Sequence, residues 1–396
     1  FNSISKAVSH LSLKASYSLT ADRPSVTNAL AVIQSYSPWR PSAGVTESGL
    51  TIKDLENSDL TYEKKHELNI GADLGFLDNR INLTVDWYKR DNFDLIGRVM
   101  TQGIGGQIQK YGNVATMKSR GIEFSLSTKN IKTKDFSWTT DFIYSHMKNE
   151  VTKFNTSTRA FNLVSGIGFS REGYPVNSLF SYDFRGLNED GVPTFINEAG
   201  VLTSTDINFQ ETERFDNLVY SGPSEPTDVG SFGNIFQYKG LRLNVFITYS
   251  FGNVVRLDPV FSSIYNDLDA MPREFRNRWM TPGDERYTDV PAIVSSRQVR
   301  NDSKLSYAYN AYNYSTARIA KGDFIRMKEI SLTYDFPKRW IKKLRMSNLA
   351  LKIQATNLFL IYADKKLNGQ DPEFFNSGGV ATPVPKQFTL TLKIGL

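Results

Sequence analysis

Residues that could carry a reaction are few in this chain, and they are widely scattered. Its 396 residues include three histidines, His10, His66 and His146, and no cysteine. Composition therefore excludes disulfides, thiolate metal sites and cysteine nucleophiles. The histidines are far apart in sequence and have no acidic helix motif beside them, so neither a zinc site nor a histidine-based triad is recognisable. Gly168-Phe169-Ser170-Arg171-Glu172 approaches the Gly-x-Ser-x-Gly elbow, but Glu172 occupies the position where the tight turn needs glycine. Gly103-Ile104-Gly105-Gly106 lacks the third glycine of a dinucleotide fingerprint and reads as a loop tip. Asn188-Glu189-Asp190-Gly191 reads as a plain turn. Gly186 stands where a calcium loop has its first acidic ligand, and Asn197 where it has its bidentate glutamate. The sequence assigns no catalytic residue, no metal ligand and no cofactor site.

Binding chemistry is concentrated in Tyr36-Ser37-Pro38-Trp39-Arg40, where Tyr36 and Trp39 could stack on a sugar ring or a nucleobase, or simply on each other. Tyr36 and Trp39 are the candidate substrate-binding residues. The charge balance argues against nucleic acid. The net charge is +6, but 47 Lys and Arg are interleaved with 41 acids, and basic clusters such as 338–345 are short enough to be turn charges.

The elements that would position these residues are strands. From Leu68 the apolar residues Leu68, Ile70, Ala72, Leu74 and Phe76 alternate with Glu67, Asn69, Gly71, Asp73 and Gly75. Period two with one greasy and one wet face predicts a strand. After Leu77-Asp78-Asn79 the pattern restarts with Ile81, Leu83, Val85 and Trp87, which makes a hairpin. The same alternation returns at 11–19, 122–126, 136–144, 241–251, 330–336 and 349–355, and closes the chain at 388–396.

A soluble sandwich would also alternate, because one face of each strand packs on a core. Run length argues for a membrane barrel instead. Several runs exceed the roughly 5 to 6 residues of soluble strands and approach the roughly 9 to 11 that a tilted membrane strand needs. Tight links at 77–79, 132–135, 239–240 and 337–345 also alternate with long ones at 21–60, 97–116, 253–322 and 363–386. Short periplasmic turns and long outer loops are a barrel pattern. Aromatic content of 13% with only 40% apolar residues suits a wall that is greasy on one side. The longest apolar runs, such as 358–363, fall far short of the roughly 18 residues of a membrane helix. About 11 to 13 strands can be counted by this pattern. Residues 151–231 break the parity and carry no assignable crossing.

Ordered blocks along the chain resemble those of SusC/RagA-like TonB-dependent outer-membrane transporters. They begin with Leu60-Thr61-Tyr62-Glu63-Lys64, Asp86-Trp87-Tyr88-Lys89-Arg90 and Lys118-Ser119-Arg120-Gly121-Ile122-Glu123. They continue through Glu172-Gly173-Tyr174-Pro175-Val176, Arg278-Trp279 with Pro282-Gly283-Asp284, and Gly322-Asp323-Phe324-Ile325-Arg326-Met327-Lys328. Thr356-Asn357-Leu358-Phe359 and Asp371-Pro372-Glu373 complete the series. Each block is weak alone; their order over nearly the whole chain is the signal.

The resemblance implies an all-β fold, an antiparallel transmembrane barrel of roughly 22 strands of which residues 1–396 are the C-terminal portion. By the same resemblance the N-terminal plug and TonB box are expected to lie outside the chain. It also implies import of glycans or peptides under a SusD/RagB-like surface lipoprotein, coupled to TonB, ExbB and ExbD, with Glu67, Asn69, Asp73, Glu123 and Lys393 facing the lumen. The chain departs from the family pattern in finishing on Leu396 where such barrels usually end on an aromatic residue. A structural or secretion-associated barrel without import is the alternative, and a plug upstream would discriminate between the two.

Overall fold

The computed structural model describes residues 7–23, 30–38, 48–103, 106–156, 158–165, 168–260, 273–343, 346–375 and 385–395. Ten strands form one antiparallel sheet in which each pairs with the next along the chain. They are β1 (Val8–Asp22), β2 (Glu63–Phe76), β3 (Ile81–Met100), β4 (Gln109–Lys132) and β5 (Phe136–Phe154). The second half is β6 (Asp228–Tyr238), β7 (Leu241–Phe251), β8 (Phe324–Asp335), β9 (Asn348–Ala363) and β10 (Gln387–Gly395). Among the described residues β1 and β10 are the sheet's two edges, each paired on one side only.

The register turns the alternation within each strand into two continuous faces. Ile70, Trp87 and Ile122 lie side by side across β2, β3 and β4. Leu243, Leu332, Ile353 and Leu390 do the same across β7 to β10. These apolar rows are open to the surroundings, with Leu390 70% exposed. One pleat over, Asp73, Thr84 and Ser125 line up on the opposite face.

Aromatic rings flank the apolar face at both ends. Trp138 stacks on Phe236 at 5.7 Å, and Tyr334, Phe336 and Trp340 run in series at 4.9 and 5.9 Å near the tight turns. Tyr249, Phe251 and Tyr362 sit at the other end at 5.8 and 6.5 Å. An apolar band between two aromatic girdles is the outer surface of a membrane barrel. No helix among the described residues is long and apolar enough to cross a membrane.

The tight turns fall where the sequence places them. Leu77, Asp78 and Asn79 are all left-handed, at φ 51°, 55° and 57°, and Arg80 N–H closes the turn on Phe76 O at 3.0 Å. Two expectations need correction. The link read at 97–116 is only 101–108, because β3 and β4 carry on through the facing pair Gly97 and Gly112. Both glycines are mid-ladder residues. The wall also holds ten strands among the described residues, against the about 11 to 13 counted by alternation. Within 151–231, where alternation gave no assignable crossing, the short strands pair among themselves and leave the wall.

Those short strands build a folded cap beyond the long-loop end. Ser178–Tyr182 pairs with Leu218–Pro223, and a small sheet joins Phe184–Leu187, Pro193–Ile196 and Leu202–Thr203. From the next long connection, Val254–Arg256 pairs with Ile319–Lys321. Tyr182 N–H donates to Tyr314 O at 3.0 Å and stitches the two connections together. One apolar core serves both, with Phe180, Tyr182 and Phe195 from the first and Phe275, Ala311 and Tyr312 from the second. Each of these side chains except that of Ala311 contributes about 2 kcal/mol when buried, so the connections fold as a unit rather than hang as loops.

Candidate functional site

The polar face of the wall is a network of matched charges. On β2 and β3, Glu67 accepts Arg90 at 3.0 Å and Lys65 at 2.9 Å, and Asn69 donates to it at 2.9 Å. The Arg90 guanidinium lies 4.1 Å from the centre of the Tyr88 ring. Lys14 of β1 pairs with Asp73, which also accepts Thr84 Oγ1 at 3.0 Å. Across β7, β8 and β9, Glu329 accepts Asn244 at 3.2 Å and Gln354 at 3.0 Å. Such groups cannot face lipid, so this face is the lumen side. Glu67, Asn69, Asp73, Glu123 and Lys393 all stand on it by register.

Where wall meets cap, arginines tie the connections down. Arg326 of β8 binds Asp371 at 2.5 Å and Glu373 at 2.8 Å, with its side chain 4% exposed. Arg318 pairs with Glu274 and donates to Asp258 O at 2.6 Å. Arg256, 8% exposed, donates to Phe180 O at 2.7 Å. Burial pulls its guanidinium pKa down to about 10, and the neighbouring Arg318 charge pushes the same way. Burial likewise raises the Tyr312 phenol to about 12, and the Tyr182 and Tyr309 phenols are raised by the same cause. The sequence offered no signal for Arg90, Arg256 or Arg318 as anchors, because their partners come from distant segments.

Tyr36 ends the strand Val32–Tyr36, pairs with Gly49 of the strand Gly49–Asp54, and is 48% exposed. Trp39 lies outside the described residues. Asn188 Oδ1 accepts Asp190 N–H at 3.1 Å and Val192 N–H at 2.8 Å, which makes 188–191 the turn that its composition predicts. His146, for which no neighbouring motif supplies a partner, has Nδ1 2.9 Å from Asp228 Oδ1, which also accepts Tyr144 O–H at 2.6 Å. That cluster sits on the apolar side near the loop end, beside the aromatic girdle. A cavity of about 290 Å³ opens at the outer tips of β3 and β4, lined by Lys53, Asp54, Arg98, Gln107, Lys110 and Tyr111 among others.

A two-faced strand wall with a charged lumen side, tight turns at one end and a folded cap at the other defines an outer-membrane β-barrel protein of the receptor and transporter type. Residues 4–358 match the family described as TonB dependent receptor-like, beta-barrel, and the chain belongs to that family. It is therefore an outer-membrane protein. TonB-dependent receptor P3 of Formosa agariphila is 26% identical over 378 residues, covering 91% of this chain and 35% of that protein. TonB-dependent receptor SusC of Bacteroides thetaiotaomicron is 27% identical over 357 residues, covering 86% and 32%. Among solved structures, the RagAB peptide transporter superposes with a TM-score of 0.77 at 25% identity, over 99% of this chain and 41% of that one. The chain thus spans about a third of the length of these curated relatives.

Proposed function

We propose that this chain is the C-terminal part of a TonB-dependent importer of oligomeric nutrients, glycans or peptides. In this reading the plug, the TonB box and the remaining strands lie outside residues 1–396. The observation that carries it is the pairing of a charged, hydrogen-bonded lumen face with a cap that has its own core at the outer end. A barrel that only anchors something needs the apolar band; it does not need a polar conduit roofed by a folded vestibule. The one-sided pairing of β1 and β10 supports completion by further strands, since a free strand edge inside a bilayer leaves backbone groups unsatisfied.

The proposal includes a SusD/RagB-like surface lipoprotein resting on the cap, energy coupling through TonB, ExbB and ExbD, and substrate contact at Tyr36 and Trp39. Likeness to SusC and to the RagAB peptide transporter supports the lipoprotein. Extraction from native outer membranes in mild detergent, with mass spectrometry of every co-purifying chain, tests it. A stoichiometric surface lipoprotein is the expected result. A barrel that emerges alone, or with secretion components, removes the import reading in favour of a structural one.

A further inference from the structure

Lys53, Arg98 and Lys110 converge on the 290 Å³ cavity where the strand Gly49–Asp54 lies against the outer tips of β3 and β4. Three arginines at the wall and cap are matched with acids: Arg90 with Glu67, Arg318 with Glu274, and Arg326 with Asp371 and Glu373. Among the described residues Lys53, Arg98 and Lys110 have no carboxylate within ion-pair distance, and Asp54 is the one acid lining the cavity. Three cations against one acid leave a positive excess aimed at a small concave space.

The cavity is braced rather than incidental. Gln107 Nε2 donates to Ile52 O at 2.5 Å, and the buried Asn57 donates to Tyr111 O. These bonds fix the hairpin against the tips of β3 and β4, so the walls of the cavity are set before any ligand arrives. The volume is at the low end of the roughly 300 to 1,000 Å³ of small-molecule sites, which is room for one ring and its substituent.

We propose that this cavity is a subsite for an acidic saccharide. Arg98, Lys53 and Lys110 hold the carboxylate or sulfate of one ring, and the carboxamides of Gln107 and Gln109 bind its hydroxyls. A saccharide fits better than an acidic peptide because the lining is amide, cation and one tyrosine, with Leu55 its one aliphatic side chain. The physiological role assigned to the subsite rests on the import reading above.

The test uses the full protein purified from outer membranes, titrated calorimetrically with an oligogalacturonate, a sulfated galacto-oligosaccharide, a neutral galacto-oligosaccharide of equal length and a glutamate-rich peptide. At least one acidic saccharide should bind about tenfold more tightly than the neutral one, since each charge-assisted hydrogen bond is worth more than a neutral one. Which of the two it is separates carboxylate from sulfate. That preference should shrink as salt is raised, and the double variant Arg98→Gln, Lys110→Gln should lose it. Equal binding of neutral and acidic sugars, a salt-independent preference, or a peptide bound as tightly as the acidic saccharides overturns the proposal. Uptake compared in cells with and without TonB is a separate readout. Its failure would remove import and leave the binding result standing.

Discussion

Arg326 and Asp371 meet at 2.5 Å where the inner wall passes into the connection after β9, and both side chains are almost wholly withdrawn from solvent, 4% and 10% exposed. Two further bonds fix the acidic side, for Asp371 Oδ1 also accepts Glu373 N–H at 3.2 Å, and Glu373 itself reaches Arg326 at 2.8 Å. Replacing Arg326 by Leu strands a buried carboxylate, at a cost of about 3 kcal/mol. The connection should then detach while the wall stays folded. Trypsin should cut at Lys365 and Lys366 at least about tenfold faster in Arg326→Leu, with heat-modifiable migration on gels unchanged. Arg326→Lys should behave nearly as badly, since one ammonium cannot reproduce the guanidinium fork. Unchanged cleavage kinetics would show that the pair does not hold the connection.

The cap should be sensitive to alkali. Tyr182, Tyr309 and Tyr312 have phenol pKa values raised by burial, Tyr312 to about 12. A group whose folded pKa is raised contributes stability that is complete below its unfolded value, about 10, and is lost as pH climbs through the folded one. Arg256 acts in the opposite sense. Lowered to about 10, it sheds its costly buried charge as pH rises and so gains stability above that point. Three tyrosines outweigh one arginine, so the cap should unfold between about pH 10 and 12. A tyrosinate absorbance titration should show a cooperative late step that Tyr312→Phe makes smaller. Smooth, independent ionisation of all 19 tyrosines would count against it.

How much of this was legible depends on whether a residue's partner is local. The wall was readable where period two holds, because each strand declares its two faces by itself. β6 escaped, since its outward face carries Asp228, Gly230 and Asn234. Those polar groups are tolerable only because β5 supplies partners: Trp138 and Thr140 each donate to Asn234 Oδ1 at 2.8 Å, and Tyr144 bonds Asp228. No pattern within β6 announces them. The blocks holding Arg326 and Asp371 were visible as separate stretches, but that they bind each other across 45 residues is a fact of the fold. The cap's aromatic core gave no periodic signal at all, because its strands are two to six residues long.

The two faces of the wall should respond oppositely to charge. Leu390 on β10 pairs with Ile353 on the apolar face, while its neighbour Thr391 pairs with Lys352 on the lumen face. Arginine at Leu390 should destabilise the folded barrel by about 2 to 4 kcal/mol if it lies near the bilayer midplane. Arginine at Thr391 should cost far less. Urea titration in lipid vesicles, followed by heat-modifiable migration, measures both. Equal penalties at 390 and 391 would contradict the assignment of lipid and lumen faces.

Tyr36 offers the sharpest check on the binding expectation, because its ring does two separable things. It lies across from Gly49, whose missing side chain leaves the ring room to cover the facing strand, and its other face is open. Tyr36→Phe keeps the ring and should leave both hairpin and ligand binding intact. Tyr36→Ala removes the stacking surface, which for a flat ring is worth about 1 to 3 kcal/mol by analogy with stacked bases, so oligosaccharide affinity should fall about tenfold or more. Calorimetry on the two variants tells the roles apart. If alanine weakens binding and phenylalanine does not, the ring is a contact, whereas equal affinity in all three proteins would leave Tyr36 a residue of the hairpin alone.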